Sequence, residues 1–354
     1  QRFGETGCFL KHMITLKGCA PIEGAIVESY ETEEEVLLAW TRFIGELDPD
    51  FITGYNIFGF DFSFMWERAE ELGIVDEFAL LGRERHQPKN ADGKRQKEWV
   101  SKPSELVIKK LSSSALGDNV LKYISMEGRV VVDLLKVVQK DFNLVSYKLD
   151  YVASHFIGDY IKKVEHNENE TKFKSYNLTG LQRHNYVSFE LIGHSSDSYK
   201  HNGKKKFKVT EMNELEGWFK VGEILEFEEG KKIRWGLAKD DVTPQDIFRL
   251  TNGNANDRAI IAKYCFQDCN LVHHIFRKND ILTGFIEIAN VCSVPIDYIV
   301  MRGQGIKLLS FLAKECRNKN TLMPVLEKVE NDGSYEGAIC LPPKCDLYLD
   351  NPIA

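Results

Sequence analysis

Between Glu28 and Gly73 the chain switches hydrophobic period twice, and that alternation limits the folds open to it. In "ESYETEEEVLLAWTRFIGELDPD", Val36, Leu37, Trp40, Phe43, Ile44 and Leu47 recur at i, i+1, i+4, i+7, i+8 and i+11, a single apolar helical stripe. Thr32 with Glu35 three residues on forms a capping box, and Asp48-Pro49 supplies the stop. The next run, "DFITGYN", is short, β-branched and aromatic, and reads as a strand. "FSFMWERAEELG" then returns to helical spacing and ends at Gly73, a natural residue for a left-handed helix terminus. "GRVVVDLLKVV" (128–138) begins as a strand, and "YKLDYVASHFIG" (147–158) reads as a short helix. Helix and strand signals that alternate in this way predict an α/β layer.

From about Asp159 to Asp240 the texture changes. The chain becomes polar and rich in Gly, Asn and Ser, with short alternating runs such as "YVSFELIG", "KKFKVTEM" and "WFKVGEILEF". These predict β-hairpins and an inserted, β-rich subdomain. Helical spacing resumes in "NANDRAIIAKYCFQDCNLVHHIFRKN", where Asn256 or Asp257 can cap and Ile261, Tyr264, Cys265, Asp268, Leu271, Val272 and Ile275 share a face. Further helices are expected from about Leu282 to Val291 and across "GQGIKLLSFLAKECRN", and "SYEGAICLPP" reads as a strand entered through a turn.

Composition excludes several classes. A chain of 354 residues with 43% hydrophobic and 28% charged residues can bury one large core or two smaller ones. Its eight cysteines are scattered without a C-x-x-C pair, which argues against a disulfide scaffold or a zinc site and for a reducing compartment inside a cell. No apolar run approaches the roughly 18 to 20 residues that span a bilayer, and no leader pattern opens the chain, so neither a membrane nor a secreted protein is expected. A net charge of −7 argues against a protein that coats nucleic acid with its whole surface. The local clusters Lys94–Lys97 and Lys204–Lys208 read as solvated loop or hairpin tips. The opening at Gln1 without Met, and the close at "LYLDNPIA", where an apolar segment begins, predict that both ends continue in a longer protein.

Two carboxylates stand in apolar company. Asp61 lies between Phe60 and Phe62 where a strand hands over to a helix, the edge at which α/β enzymes expose working side chains. Asp268 lies on the apolar stripe of the later helix. An ionised Asp buried alone is very costly, so each needs a partner: a basic side chain, backbone donors or a metal cation. A helix cap and a salt bridge account for them more readily than a metal does. Tyr264, one turn before Asp268, projects from the same face and could orient a water, or simply pack. Asn56 could bond to a substrate or serve as a turn residue, and Cys265 and Cys269 are expected to be small buried hydrophobes.

These residues carry a resemblance. Asn56-x-x-x-Phe60-Asp61 resembles the second exonuclease motif of family B DNA polymerases, and Tyr264-x-x-x-Asp268 the third. "APIEGAIVESYETEEEVLLAW", "DPDFITGYNI", "YKLDYVASHFIG", "MRGQGIKLLS" and "YEGA" are similar to delta-type members, in matching order over nearly the whole chain outside the insertion. The insertion itself resembles one in polymerases of large DNA viruses of algae and protists. The resemblance implies a ribonuclease H-like 3′-5′ exonuclease domain over about residues 1–280, interrupted at about 159–240. A mainly helical start of a polymerase domain would follow over 281–354.

By the same resemblance, Asp61 and Asp268 would be metal ligands for Mg²⁺ or Mn²⁺, and Tyr264 would position the attacking water. Asn56 and Phe60 would shape the groove for a single-stranded 3′ end. Tyr335, Gly337 and Ala338 would contact template strand, and Arg302 and Lys307 phosphates. Implied partners are primer-template DNA, dNTPs for the full protein and a sliding clamp. The implied location is the nucleus or a viral replication compartment. Two motifs depart from the family: no Asp-x-Glu stands at the N-terminus, and "DLYLD" at 346–350 is not the Asp-x-x-Ser-Leu-Tyr of the polymerase site. The expectation is therefore a fragment of a replicative, proofreading DNA polymerase that is inactive by itself. Its rivals are a stand-alone metal-dependent exonuclease, with Asp133 or Glu5 supplying carboxylates, and a catalytically inactive nucleic-acid-binding module.

Overall fold

The capping box expected at Thr32 starts the first helix. In the computed structural model, the Thr32 hydroxyl accepts from the Glu35 N–H and Glu35 returns a bond to the Thr32 N–H at 3.1 Å. The structure describes all residues except 3, 6, 89–97, 114–116, 194–197, 202–204, 229, 239–241 and 324–354. Strands β1 (His12–Leu16) and β2 (Ile26–Tyr30) pair in parallel ahead of α1 (Glu33–Leu47). After α1 come β3 (Phe51–Gly54), α2 (Asp61–Leu72), α3 (Val75–Phe78), β4 (Arg85–His86), β5 (Val100–Ser101) and the long hairpin β6 (Leu106–Ser113) and β7 (Gly117–Ile124). β8 (Val130–Asp133) then pairs in parallel with β3, register Phe51↔Val130 to Gly54↔Asp133, and runs into α4 (Leu134–Asp141) and α5 (Leu149–Phe156). The expected α/β alternation is present, as two separate parallel pairs with helices between them.

Arg129 ties this part together from inside. Its guanidinium donates to Leu81 O at 2.9 Å and Pro49 O at 2.7 Å, and pairs with Asp48 at 2.8 Å. Asp48, the left-handed residue that ends α1, is held below the ordinary carboxylate range by Arg83 and then Arg129. Around this frame Phe58, Phe62, Trp66, Phe78 and Ile124 form one core.

Among the described residues, the segment expected to be β-rich holds seven strands: β9 (Gly158–Asn167), β10 (Glu170–Ser175), β11 (Tyr186–Ile192), β12 (Ser198–Lys200), β13 (Phe207–Asn213), β14 (Trp218–Val221) and β15 (Lys232–Ala238). They are ordered β12-β11-β13-β14-β10-β9-β15, and a further β11–β15 pairing closes six of them into an antiparallel barrel. Closure pairs most of the strand edges that an open hairpin array would expose, with β12 outside the ring. Phe173, Phe189, Phe207 and Phe219 fill the interior with ring centroids 4.6 to 6.4 Å apart. The cluster read as a basic tip is part loop and part strand, since Lys208 lies within β13.

α6 (Pro244–Thr251), α7 (Ala255–Lys278), α8 (Ile281–Cys292), α9 (Ile296–Met301) and α10 (Gln304–Asn318) complete the described chain. The cap of α7 lies earlier than expected. Asn254, not Asn256 or Asp257, accepts from the Asn256 and Asp257 N–H groups, and Asp257 bonds back to the Asn254 N–H at 2.9 Å. The shared face is also corrected: Leu271, Val272 and Ile275 are buried, while Cys265 and Cys269 reach solvent. "SYEGAICLPP" lies outside the described residues.

The barrel joins the α/β part through two glycines in register, Gly158 on β9 and Gly236 on β15. A Cβ on Gly158 would lie 2.3 Å from Trp235 O, and one on Gly236 2.2 Å from Ser154 Oγ of α5. Backbone cannot retreat as a side-chain tip can, so Gly158→Ala is expected to lower stability by about 1–3 kcal/mol or more, measured by urea unfolding followed through tryptophan fluorescence.

Candidate active site at the β3–α2 junction

The turn from β3 into α2 is built on a buried charge. Asp133 is 0% exposed at the end of β8, beside Gly54. Its Oδ1 accepts from the backbone N–H of Asn56 at 2.8 Å and of Leu135 at 3.0 Å, and its Oδ2 from that of Phe58 at 3.1 Å. Burial pushes the carboxyl up, and these donors, with Lys136 beyond them, oppose that rise. The Tyr55 hydroxyl donates to Tyr147 O at 2.5 Å and anchors the start of the turn. Asn56 takes a left-handed φ of 64°, a conformation that Asn tolerates better than most residues. Its carbonyl accepts from the Gly59 and Phe60 N–H groups at 3.0 and 3.1 Å.

That geometry sorts the side chains of "YNIFGFDFSF". Phe58 and Phe62 turn into the core at 1% and 3% exposure, while Asn56, Phe60 and Asp61 face outward. Asp61 is the first residue of α2, where the helix dipole favours a negative charge. Partial desolvation by the surrounding protein nonetheless pushes its carboxyl above the ordinary value. Beside it, Phe60 and Phe64 are 60% and 49% exposed and stack on each other, centroids 5.5 Å apart at 13°. Phe64 escaped the sequence reading. Its signal was the i, i+4 spacing from Phe60, which places two aromatics on one helix face where only one was assigned a role.

On α7, Tyr264 and Asp268 are half-buried and one turn apart. β3 packs against α7, so the strand that leads to Asp61 lies on the helix that carries Asp268. The N-terminal segment also runs beside α7. Cys269 is pushed up first by desolvation, then by the Asp268 carboxylate and the Cys8 thiol, and burial holds His273 down. Cys265 and Cys269, expected to be buried hydrophobes, are exposed among the described residues.

The other expected contacts divide. Arg302 is exposed, its guanidinium 5.3 Å from the Tyr298 ring and next to Lys109, whose ammonium donates to Met301 O at 2.5 Å. Lys307, expected on phosphate, is 5% exposed and donates to Ile299 O at 3.3 Å. It joins α10 to α9, and burial holds its ammonium below the usual lysine value. Tyr335, Gly337 and Ala338 lie outside the described residues. Asp133, named as a spare carboxylate for a stand-alone nuclease, has both oxygens committed to backbone, and Glu5 is an exposed residue 3.5 Å from Arg2. Among the described residues no group of three or more His, Cys, Asp or Glu is placed to hold a metal. Asp61 and Asp268 are hard oxygen donors of the right type, but two carboxylates are too few for a complete divalent-metal site.

Removing the Asp133 carboxylate would leave three N–H donors without their acceptor in a dry turn. Asp133→Ala is expected to cost about 3–5 kcal/mol in urea unfolding, and to loosen amide-hydrogen exchange at Asn56 and Phe58 before the rest of the α/β part.

Comparison with known proteins bears on what this site is. Residues 1–152 match the family described as DNA polymerase family B, exonuclease domain. The chain is 42% identical over 327 residues, 91% of its length, to a DNA polymerase of Phaeocystis pouchetii virus. It is 40% identical over its full length to one of Pyramimonas orientalis virus, and 31% identical over 99% of its length to the DNA polymerase delta catalytic subunit of Glycine max. It spans 30%, 26% and 24% of the lengths of those three relatives. Residues 1–152 are thus similar to the exonuclease domain of DNA polymerase family B, in a chain that matches viral DNA polymerases almost end to end while spanning less than a third of their length.

Proposed function

We propose that this chain is the proofreading part of a replicative DNA-directed DNA polymerase. In this reading, residues 1–280 form a ribonuclease H-like 3′-5′ exonuclease domain interrupted by the barrel, and 281–354 begin the polymerase domain. The observation that carries it is the exposed Phe60–Phe64 stack held beside Asp61 by the Asp133-locked turn. Aromatic faces next to a carboxylate suit a frayed 3′ end, because each stacked base is worth about 1–3 kcal/mol without regard to sequence. Asp61 and Asp268 would hold Mg²⁺ or Mn²⁺, with the remaining ligands in the Asp-x-Glu that the family resemblance puts ahead of Gln1. Such cations supply charge stabilisation for phosphodiester cleavage. Tyr264 would hold the attacking water from one turn away, and Asn56 would bond the terminal nucleotide. Arg302 is the remaining described candidate for a phosphate contact; Tyr335, Gly337 and Ala338 would touch the template. Primer-template DNA, dNTPs and a sliding clamp would be partners of the whole protein, in the nucleus or a viral replication compartment.

The commitment of Asp133 to three backbone donors weighs against a stand-alone nuclease built from these residues alone. In a polymerase of natural length containing this chain, Asp61→Ala or Asp268→Ala is expected to slow release of a mismatched 3′ nucleotide at least about a hundredfold, with primer extension retained. Excision at the wild-type rate would refute the assignment. The isolated chain is expected to release no nucleotide with either cation, and metal-dependent release from it would show that its own residues complete the site.

Gly59 gives a subtler check. A Cβ there would lie 2.3 Å from Asn56 Oδ1, the end of a side chain that can move. Gly59→Ala is expected to leave the urea midpoint nearly unchanged and to slow excision about tenfold by displacing Asn56.

A further inference from the structure

The barrel carries a second surface of different chemistry. β9 and β15 pair only from Gly158–Tyr160 to Gly236–Arg234. Beyond Tyr160 the two strands diverge, β9 following β10 and β15 following β11. The gap is a cleft of about 500 Å³ lined by Tyr160, Lys162, Lys163, Tyr176, Lys231 and Lys232.

The cleft is constructed rather than frayed. Lys163 pairs with Lys174 and Ile161 with Ser175, so Lys162 is the extra residue of a β-bulge at the point of divergence. Bulges re-aim a side chain, and here the Lys162 ammonium comes to 3.7 Å from the centroid of the Tyr176 ring, itself 71% exposed. Ser175 pins the bulge from below: its hydroxyl donates to Tyr160 O at 3.0 Å and accepts from the core Trp235 Nε1 at 2.9 Å. Lys163 and Lys231 meet Glu165 and Glu228. Among the described residues Lys162 and Lys232 have no carboxylate partner. Four lysines thus line one cleft of a chain whose net charge is −7.

We propose that this cleft binds single-stranded nucleic acid, with lysines on the phosphates and a base on Tyr176. Ammonium groups supply the salt-dependent attraction to the backbone, and exposed aromatic rings supply stacking. A duplex buries its base faces against one another, so tyrosines inside a cleft reach them only on an unpaired strand. The site touches none of the excision residues, and it would hold strand whether or not the Asp61 assignment is right.

The test is fluorescence anisotropy of the full chain with a labelled twelve-residue oligothymidylate at about 50 mM salt. Lys162→Glu with Lys232→Glu is expected to weaken binding about tenfold or more and to reduce the salt slope by about 1.4, some 0.7 for each of two phosphates. Tyr176→Ala is expected to weaken binding about fivefold with the slope unchanged. The charge-matched pair Lys17→Glu with Lys319→Glu should bind within twofold of wild type. A cleft double variant that binds like this control overturns the proposal, as does equal affinity for a duplex, or binding of polyglutamate in place of the oligonucleotide. Should the double variant fail to fold by circular dichroism, photocross-linking of an iododeoxyuridine oligomer to wild type decides. Adducts at Tyr176 or Tyr160 support the cleft, and adducts confined to Phe60 and Phe64 refute it.

Discussion

A single buried carboxylate organises the candidate site. Asp133 can remain in the interior because backbone N–H groups from two elements converge on it, and that requirement dictates the path of the chain between β3 and α2. Once Asn56 and Phe58 are tied to β8, the residues that follow have little freedom. Phe58 and Phe62 enter the core, and Phe60, Asp61 and Phe64 are left at the surface. The exposed aromatic pair beside an exposed carboxylate follows from a hydrogen-bonded charge about one turn beneath it.

Around that turn the molecule solves two packing problems with different means. The α/β part is short of continuous sheet, its described strands standing in separate two-stranded pairs, and buried Arg129 links the end of α1 to the turn before β8. The barrel closes its own hydrogen bonds and fills its interior with phenylalanine rings and Trp235. Gly158 and Gly236 are where the two solutions meet, because only the absence of Cβ lets α5, β9 and β15 approach so closely. The closure that satisfies most strand edges is incomplete between β9 and β15, and the open remainder is the lysine-lined cleft.

Local signals were legible wherever local forces decide. The capping box at Thr32, the left-handed Gly73, the strand at Phe51–Gly54 and the start of α2 at Asp61 all appear as their neighbours in sequence predict. The cap of α7 shifted to Asn254 because several residues there can cap, and the one whose reciprocal bond with Asp257 closes is chosen. Lys307 illustrates the opposite limit. Beside "MRGQG" a lysine reads as a surface cation, yet packing of α9 on α10 buries its stem and offers a carbonyl to its ammonium.

The sequence by itself determined the order and type of the elements, the β-rich interruption and, through its ordered motifs, the likeness to family B polymerases. Those properties rest on hydrophobic period, caps and turn residues that lie within a few positions of one another. Tertiary structure alone decided that Asp133 is a structural anchor rather than a spare ligand. It also decided that the hairpins close into a barrel and that four lysines share a cleft. Each of those outcomes depends on groups brought together from distant parts of the chain, where burial, backbone donors and ring packing compete, and no local spacing encodes which will meet.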